Sequence, residues 1–286
     1  MNGASRRDFL RAGCAAWVGG RVGLSSTIGA KPVAVASAAK LNRIGIQLYT
    51  VRQEFGLHPE DTLARVAEIG FREVELWGSP PGEIRAMLER HGLRAPSSHV
   101  ALRAADGEWE RTLEQAAAIG QRFVVIAFVA QSERRSADDW KRLAARYNLA
   151  GEAARKHGLR FCYHNNDFEF PELDGVVPYD LLLKETDPGL VGFEMDLYWI
   201  TKGGKDPLDY FAKWPGRFPL VHVNDMDATP RRFFADVGTG TFDFARTFRR
   251  AGQAGIQHYF YEQDETPGSP FESARRSYQY LRNLKF

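Results

Sequence analysis

Seven times along this chain a stretch with helical periodicity ends in a glycine, and within a few residues a short apolar run begins. The glycines are Gly70, Gly92, Gly120, Gly158, Gly189, Gly216 and Gly255, spaced 22, 28, 38, 31, 27 and 39 residues apart. A glycine just past a helix takes the left-handed cap conformation without a Cβ clash, so each joint predicts a helix end followed by a strand. With the opening run Ile44 to Tyr49 the pattern gives eight strands. Spacings of this size suit one βα unit each, and eight such units in about 250 residues are the size of a (β/α)8 barrel. The expected fold is α/β, a single (β/α)8 TIM barrel over residues 39–286. A doubly wound open sheet is the alternative, but no G-x-G-x-x-G loop follows the first strand.

The helical stretches support an outer ring. Asp61 to Ile69, Glu83 to Arg90, Trp109 to Ile119, Trp140 to Lys156 and Phe271 to Leu284 each pair an apolar face with a charged back. Two long connections, Asn165 to Val177 and Met226 to Thr241, follow the fifth and seventh strands. In a barrel both would lie on the face where active sites are built.

The strands themselves end in reactive groups. LRFCYH ends on His164, LVGFEMD on Asp196, FPLVH on His222 and HYFYE on Glu262. The seventh strand runs on to Asn224 and Asp225. Parallel strands closed into a barrel would bring these four ends together as neighbours. Two imidazoles and two carboxylates form a mixed nitrogen and oxygen donor set, suited to one divalent ion, Mn²⁺, Fe²⁺, Co²⁺ or Zn²⁺, rather than Mg²⁺ or Ca²⁺. The competing expectation is a buried polar network without metal.

Other strand ends and loops offer substrate contacts. Gln47 and Tyr49, Glu75 with Trp77, and Ser98 with His99 close the first three strands, while the fourth runs out to Phe128 without a polar group. Glu75, His99, Glu169, Trp199 and Lys202 are the candidates for holding substrate. His99 is also a candidate general acid, and Trp77, Trp199 and Phe128 could stack on a substrate ring. Glu194, two residues before Asp196, points to the same face one layer deeper and calls for a lysine or arginine partner. Cys162 reads as a small core residue. His58, His91, His157 and His258 read as structural.

The N-terminus reads as a leader. Ser5, Arg6, Arg7, Asp8, Phe9, Leu10 and Arg11 match the twin-arginine (Tat) export pattern, and Ala36-Ser37-Ala38 resembles a cleavage site. Residues 1–38 are therefore expected to be a signal peptide, with the Tat translocase as export partner and the periplasm as destination. Removing them leaves 33 Lys or Arg against 35 Asp or Glu, a net of −2, which is no footprint for nucleic acid. No apolar run is long enough to span a membrane.

The runs IGIQLYTVR, FREVELWG, YHNNDFEF, FEMDLYWITKGGKDP, PGRFPLVHVNDM, VGTGTFDF and YFYEQDE resemble the sugar phosphate isomerase/epimerase family, the xylose-isomerase-like barrels. The similarity runs over residues 43–286. It implies one divalent metal, often Mn²⁺, held by Asp196, His222 and Glu262, with His164 where the first ligand, usually a glutamate, stands. It also implies proton abstraction next to a sugar carbonyl through an enediolate held at the metal, with Glu262 and His164 as catalytic groups. The substrate would be a small sugar or keto-sugar, isomerised or epimerised. Two departures stand out: relatives often read His-Asn-His where this chain has His164-Asn165-Asn166, and Lys where it has Asn224. They leave open a keto-glycoside lyase or dehydratase, or a non-catalytic periplasmic sugar-binding barrel. A nuclease on the same barrel would need more metal ligands and a basic surface.

Overall fold

The computed structural model describes residues 39–78, 82–102 and 108–286; the expected leader, 1–38, lies outside the described residues. Eight parallel strands close into a barrel: β1 (Gly45–Gln47), β2 (Glu73–Trp77), β3 (Arg94–His99), β4 (Phe123–Ile126), β5 (Arg160–His164), β6 (Val191–Asp196), β7 (Leu220–Val223) and, after a two-stranded ribbon of β8 (Asp225–Met226) and β9 (Phe234–Ala235), β10 (His258–Tyr261). The barrel order is β1-β10-β7-β6-β5-β4-β3-β2, with β2 returning to β1. The expected TIM barrel is the observed fold. The second long connection is partly ordered as the β8–β9 ribbon.

Alternation along each strand sorts side chains into two cores. Residues such as Ile46, Val74, Val124, Phe161, Phe193 and Val221 face the helices and form the large core between strands and outer ring. Those of opposite parity fill the barrel. There Phe123, Val125, Cys162, Leu220 and Phe260 make a separate apolar layer, which places the free Cys162 in the core as expected. Space in this layer is tight enough to dictate small residues. A Cβ on Gly45 would come within 2.4 Å of the Phe260 ring, and one on Gly192 within 2.9 Å of Cys162 Sγ. Above that layer the inward positions become polar.

Six of the seven joint glycines adopt positive φ, from +64° at Gly92 to +124° at Gly70. Gly189 does not. There the helix Pro178–Glu185 stops at Thr186, and Asp187 accepts the Gly189 N–H at 2.7 Å in a turn fixed by Pro188. The ring helices sit where periodicity placed them, with starts set by caps. Ser136, for example, accepts from Asp139 N and opens Ala137–Lys156 three residues before Trp140.

The ribbon loop is anchored by one carboxylate. Asp225 Oδ2 accepts from Gly238 N and Gly240 N at 2.9 and 3.0 Å, and Oδ1 from Met226 N and Phe242 N at 2.8 and 3.1 Å. A Cβ on Gly240 would strike Asp225 Oδ1 at 2.3 Å, so the VGTGTFDF run is shaped to wrap that side chain. Among the described residues no helix is long and apolar enough to cross a membrane.

Candidate metal and acid-base site

Strand register sets the site. Asp196 lies opposite His222 on β6 and β7, and His164 opposite Glu194 on β5 and β6. Inward-facing positions two apart thus make two stacked tiers at the C-terminal end of the barrel. The upper tier is His164, Asp196, His222 and Glu262, one donor atom of each lying within 4.8 Å of the others. These are the four residues expected from the strand ends, and all are buried.

Each is aimed by its neighbours. Asp196 also caps the helix Leu197–Lys202: its Oδ1 accepts from Trp199 N at 2.7 Å, while Oδ2 accepts from Asn224 Nδ2 at 2.6 Å. Asn224 is fixed in turn, because its Oδ1 accepts from Tyr198 N at 2.7 Å. Its amide thus holds the carboxylate by hydrogen bonding. His222 Nδ1 lies 2.7 Å from Glu262 Oε2 and 3.6 Å from Asp196 Oδ2. His164 Nε2 is 3.5 Å from Asp196 Oδ2, and neither of its buried ring nitrogens has a hydrogen-bond partner.

The lower tier is Glu75, His99, Glu194 and His222, and it closes on itself. His222 Nε2 is 2.7 Å from Glu75 Oε2 and 3.3 Å from Glu194 Oε2; His99 Nε2 is 2.7 Å from Glu194 Oε2 and 3.2 Å from Glu75 Oε2. Gln47 Nε2 and Ser97 Oγ also donate to Glu75, at 2.8 and 2.6 Å. The expected lysine or arginine partner of Glu194 is therefore replaced by two imidazoles. Sequence could not supply them, since they come from β3 and β7 through barrel closure.

The electrostatics follow from this crowding. Burial favours the neutral form of both acid and base, but the carboxylates of Glu194 and Glu262 overcome it and raise His222 well above its ordinary value. Burial likewise opposes charge on His99, yet the carboxylates of Glu75 and Glu194 push it up to about 10. Against its own burial, Asp196 is brought to about 2 by His164 and His222. Burial and the charge of Glu75 raise Glu194.

The upper tier fits a divalent ion. Four carboxylates, Glu75, Glu194, Asp196 and Glu262, surround three imidazoles, and among the described residues no Lys or Arg forms an ion pair with any of the four. A buried imidazole with no hydrogen-bond partner at either nitrogen is costly, and a cation beside His164 would supply the missing interaction. Nitrogen and oxygen donors without thiolate suit Mn²⁺, Fe²⁺, Co²⁺ or Zn²⁺. The Glu75 and Glu194 contacts to His222 Nε2 leave Nδ1 for the ion, the usual arrangement of a carboxylate behind a ligating histidine.

Above this tier opens a cleft of about 540 Å³. His99, His164, Glu262, Asn166 and Trp199 reach it, together with Asp264, which the sequence reading passed over. Burial and the charges of Glu262 and Asp196 raise Asp264 to about 8. Three expected substrate contacts are corrected. Glu75 is fully buried in the lower tier and supports His222 instead. Glu169 is also fully buried: it accepts from Tyr163 Oη and Asn166 N, and burial raises it to about 7. Lys202 is not in the cleft lining; its Nζ donates to Tyr198 Oη at 2.9 Å, over the rings of Tyr198 and Trp199. Of the histidines read as structural, His91, His157 and His258 pair with Glu60, Glu110 and Glu73.

Fold and site together define a (β/α)8 barrel with a buried four-residue donor group at its C-terminal mouth. The model of the xylose isomerase-like TIM barrel family matches residues 63–284, and the chain belongs to that family. It is 25% identical over 163 residues to an inosose dehydratase from Lacticaseibacillus casei, covering 50% of this chain and 54% of that protein, so it spans about half the length of that relative. Among solved structures it is similar to a sugar phosphate isomerase/epimerase from Parabacteroides distasonis, with TM-score 0.73, 28% identity, 87% of this chain and 96% of that one. A 3-keto-D-glucoside 4-epimerase from E. coli shares the fold, with TM-score 0.66, 19% identity and coverage of 85% and 99%.

Proposed function

We propose that this chain is a metal-dependent enzyme that moves a proton at the carbon beside the carbonyl of a keto-sugar. The observation that carries the reading is the upper tier itself: four buried donor atoms within reach of one ion, beneath a cleft that Glu262 and His164 also line. A divalent ion held by His164, Asp196, His222 and Glu262 would supply Lewis acidity at the substrate carbonyl. The chain's own residues do the rest. Glu262, whose Oε2 faces His222 Nδ1 and would bind the ion, keeps its other oxygen to take the proton from carbon. His99, whose ring forms part of the cleft and is braced by Glu194, offers a proton to the oxygen or carbon that gains charge. Asp196 and Asn224 hold the floor rigid.

Returning the proton gives epimerisation or isomerisation; losing a β-substituent gives dehydration or glycoside cleavage. Similarity to the inosose dehydratase favours keeping elimination as the second outcome. Tat export to the periplasm, with Mn²⁺ as the resident ion, completes the proposal.

The test is exchange. In D2O, keto-sugars incubated with the protein are expected to lose the NMR signal of the proton next to the carbonyl, with or without a change of product. If keto-hexoses and keto-glycosides alike retain that proton over hours, the reading fails and a sugar-binding barrel takes its place.

A further inference from the structure

Most large side chains of this protein are hidden, yet Trp77 and Phe128 are 42% and 64% exposed, and both line the cleft. They stand at the ends of neighbouring walls. Trp77 is the last residue of β2, and Phe128 follows the end of β4 by two residues, with β3 between them. Among the described residues the cleft surface around β3 comes from His99, deep in the wall, and from the small residues Gly78, Val100, Ala101 and Ala127. Two exposed aromatic rings thus line the same cleft from the strands on either side of β3.

The rings are steadied rather than loose. Trp77 meets Tyr49 edge-on, with centroids 5.2 Å apart, and Phe128 meets Phe168 edge-on at 5.8 Å. Phe168 is backed in turn by the Arg134 guanidinium at 3.6 Å. Solvent-facing aromatics fixed in orientation at a cleft mouth expose apolar surface that a ligand can cover. Charge narrows the choice of ligand. Among the described residues no Lys or Arg lines the cleft, whereas the carboxyl groups of Glu262 and Asp264 do, which disfavours a phosphate ester. The cleft, at about 540 Å³, lies within the range of about 300–1,000 Å³ of ordinary small-molecule sites and has room for more than one ring.

We infer that Trp77 and Phe128 form a stacking subsite for a second ring carried by the substrate, so that this protein acts on neutral glycosides rather than on free or phosphorylated monosaccharides. The second ring presents an apolar face, either as an aromatic aglycone or as the C–H face of another sugar. This rests on the keto-sugar reading of the floor, and the subsite can be measured apart from the chemistry.

Isothermal titration of the metal-loaded protein with phenyl β-glucoside, cellobiose, methyl β-glucoside and glucose 6-phosphate reads it directly. Phenyl glucoside or cellobiose is expected to bind about tenfold more tightly than methyl glucoside, as one stacked ring predicts. Tighter phenyl glucoside assigns an aromatic aglycone; tighter cellobiose assigns a second sugar. In the Trp77→Ala/Phe128→Ala double variant, whose exposed positions leave the fold intact by circular dichroism, the preference is expected to fall close to one. Equal affinity for the three neutral ligands, no binding of any, a preference that survives the double variant, or tightest binding of glucose 6-phosphate would each overturn the inference. Ring preference without deuterium exchange on any keto-sugar would sink the catalytic reading and leave the subsite standing. Exchange without ring preference would do the reverse.

Discussion

Glu262→Gln is expected to lower the rate of proton exchange on the true substrate by about 10²–10⁴-fold, the usual contribution of a positioned general base. The change is nearly isosteric, and an amide oxygen in the place of Glu262 Oε2, 2.7 Å from His222 Nδ1, can still serve as a neutral ligand to the ion. The fold and most of the bound ion should therefore survive, so the loss falls on kcat. Single-turnover exchange in D2O, with elemental analysis of the same preparation, separates the two effects. A folded, metal-loaded variant that exchanges at the parental rate would remove Glu262 from the chemistry.

The second large effect is on stability. Glu75 is fully buried and takes hydrogen bonds from Gln47, Ser97 and His222. Replacing it by Leu removes a carboxylate that His222 and His99 share and takes the acceptor from Gln47 Nε2 and Ser97 Oγ. Breaking a buried ionic pair by removing one partner costs about 3–5 kcal/mol. For a domain of this size that is a fall in Tm of roughly 10 °C. Glu75→Gln, which retains an acceptor, should lose less. A thermal melt in which Glu75→Leu unfolds with the parent would show that the lower tier does not support the barrel.

The sequence made the upper tier legible because each member ends an apolar run, and a closed parallel barrel leaves strand ends no choice but to converge. What it withheld depends on register and closure. Nothing in the local sequence of Glu194 announces His99, which lies 95 positions earlier and reaches it across the barrel interior at 2.7 Å. Glu169 reads as a loop acid because it falls in the Asn165 to Val177 connection, which also carries Pro171, Gly175 and several other acids. Tertiary packing against Tyr163 instead seals it from solvent. Asp264 lies beyond the end of β10, where periodicity has stopped giving information. Gly189 matched the cap pattern but is preceded by Asp187-Pro188, a turn that ends the helix by other means. The His-Asn-Asn run after β5 gives a buried histidine without a hydrogen-bond partner, a feature visible only in three dimensions.

The proposed chemistry requires that His164, Asp196, His222 and Glu262 hold an ion. Elemental mass spectrometry on protein purified without chelator is the direct measurement, run beside Asp196→Ala. The expected result is about one Mn, Fe, Co or Zn per chain, lost in the variant while its circular dichroism is retained. Native protein that is metal-free and takes up none of these ions when they are added would show that the tier is a hydrogen-bonded polar network and that the proposed chemistry has no floor to stand on.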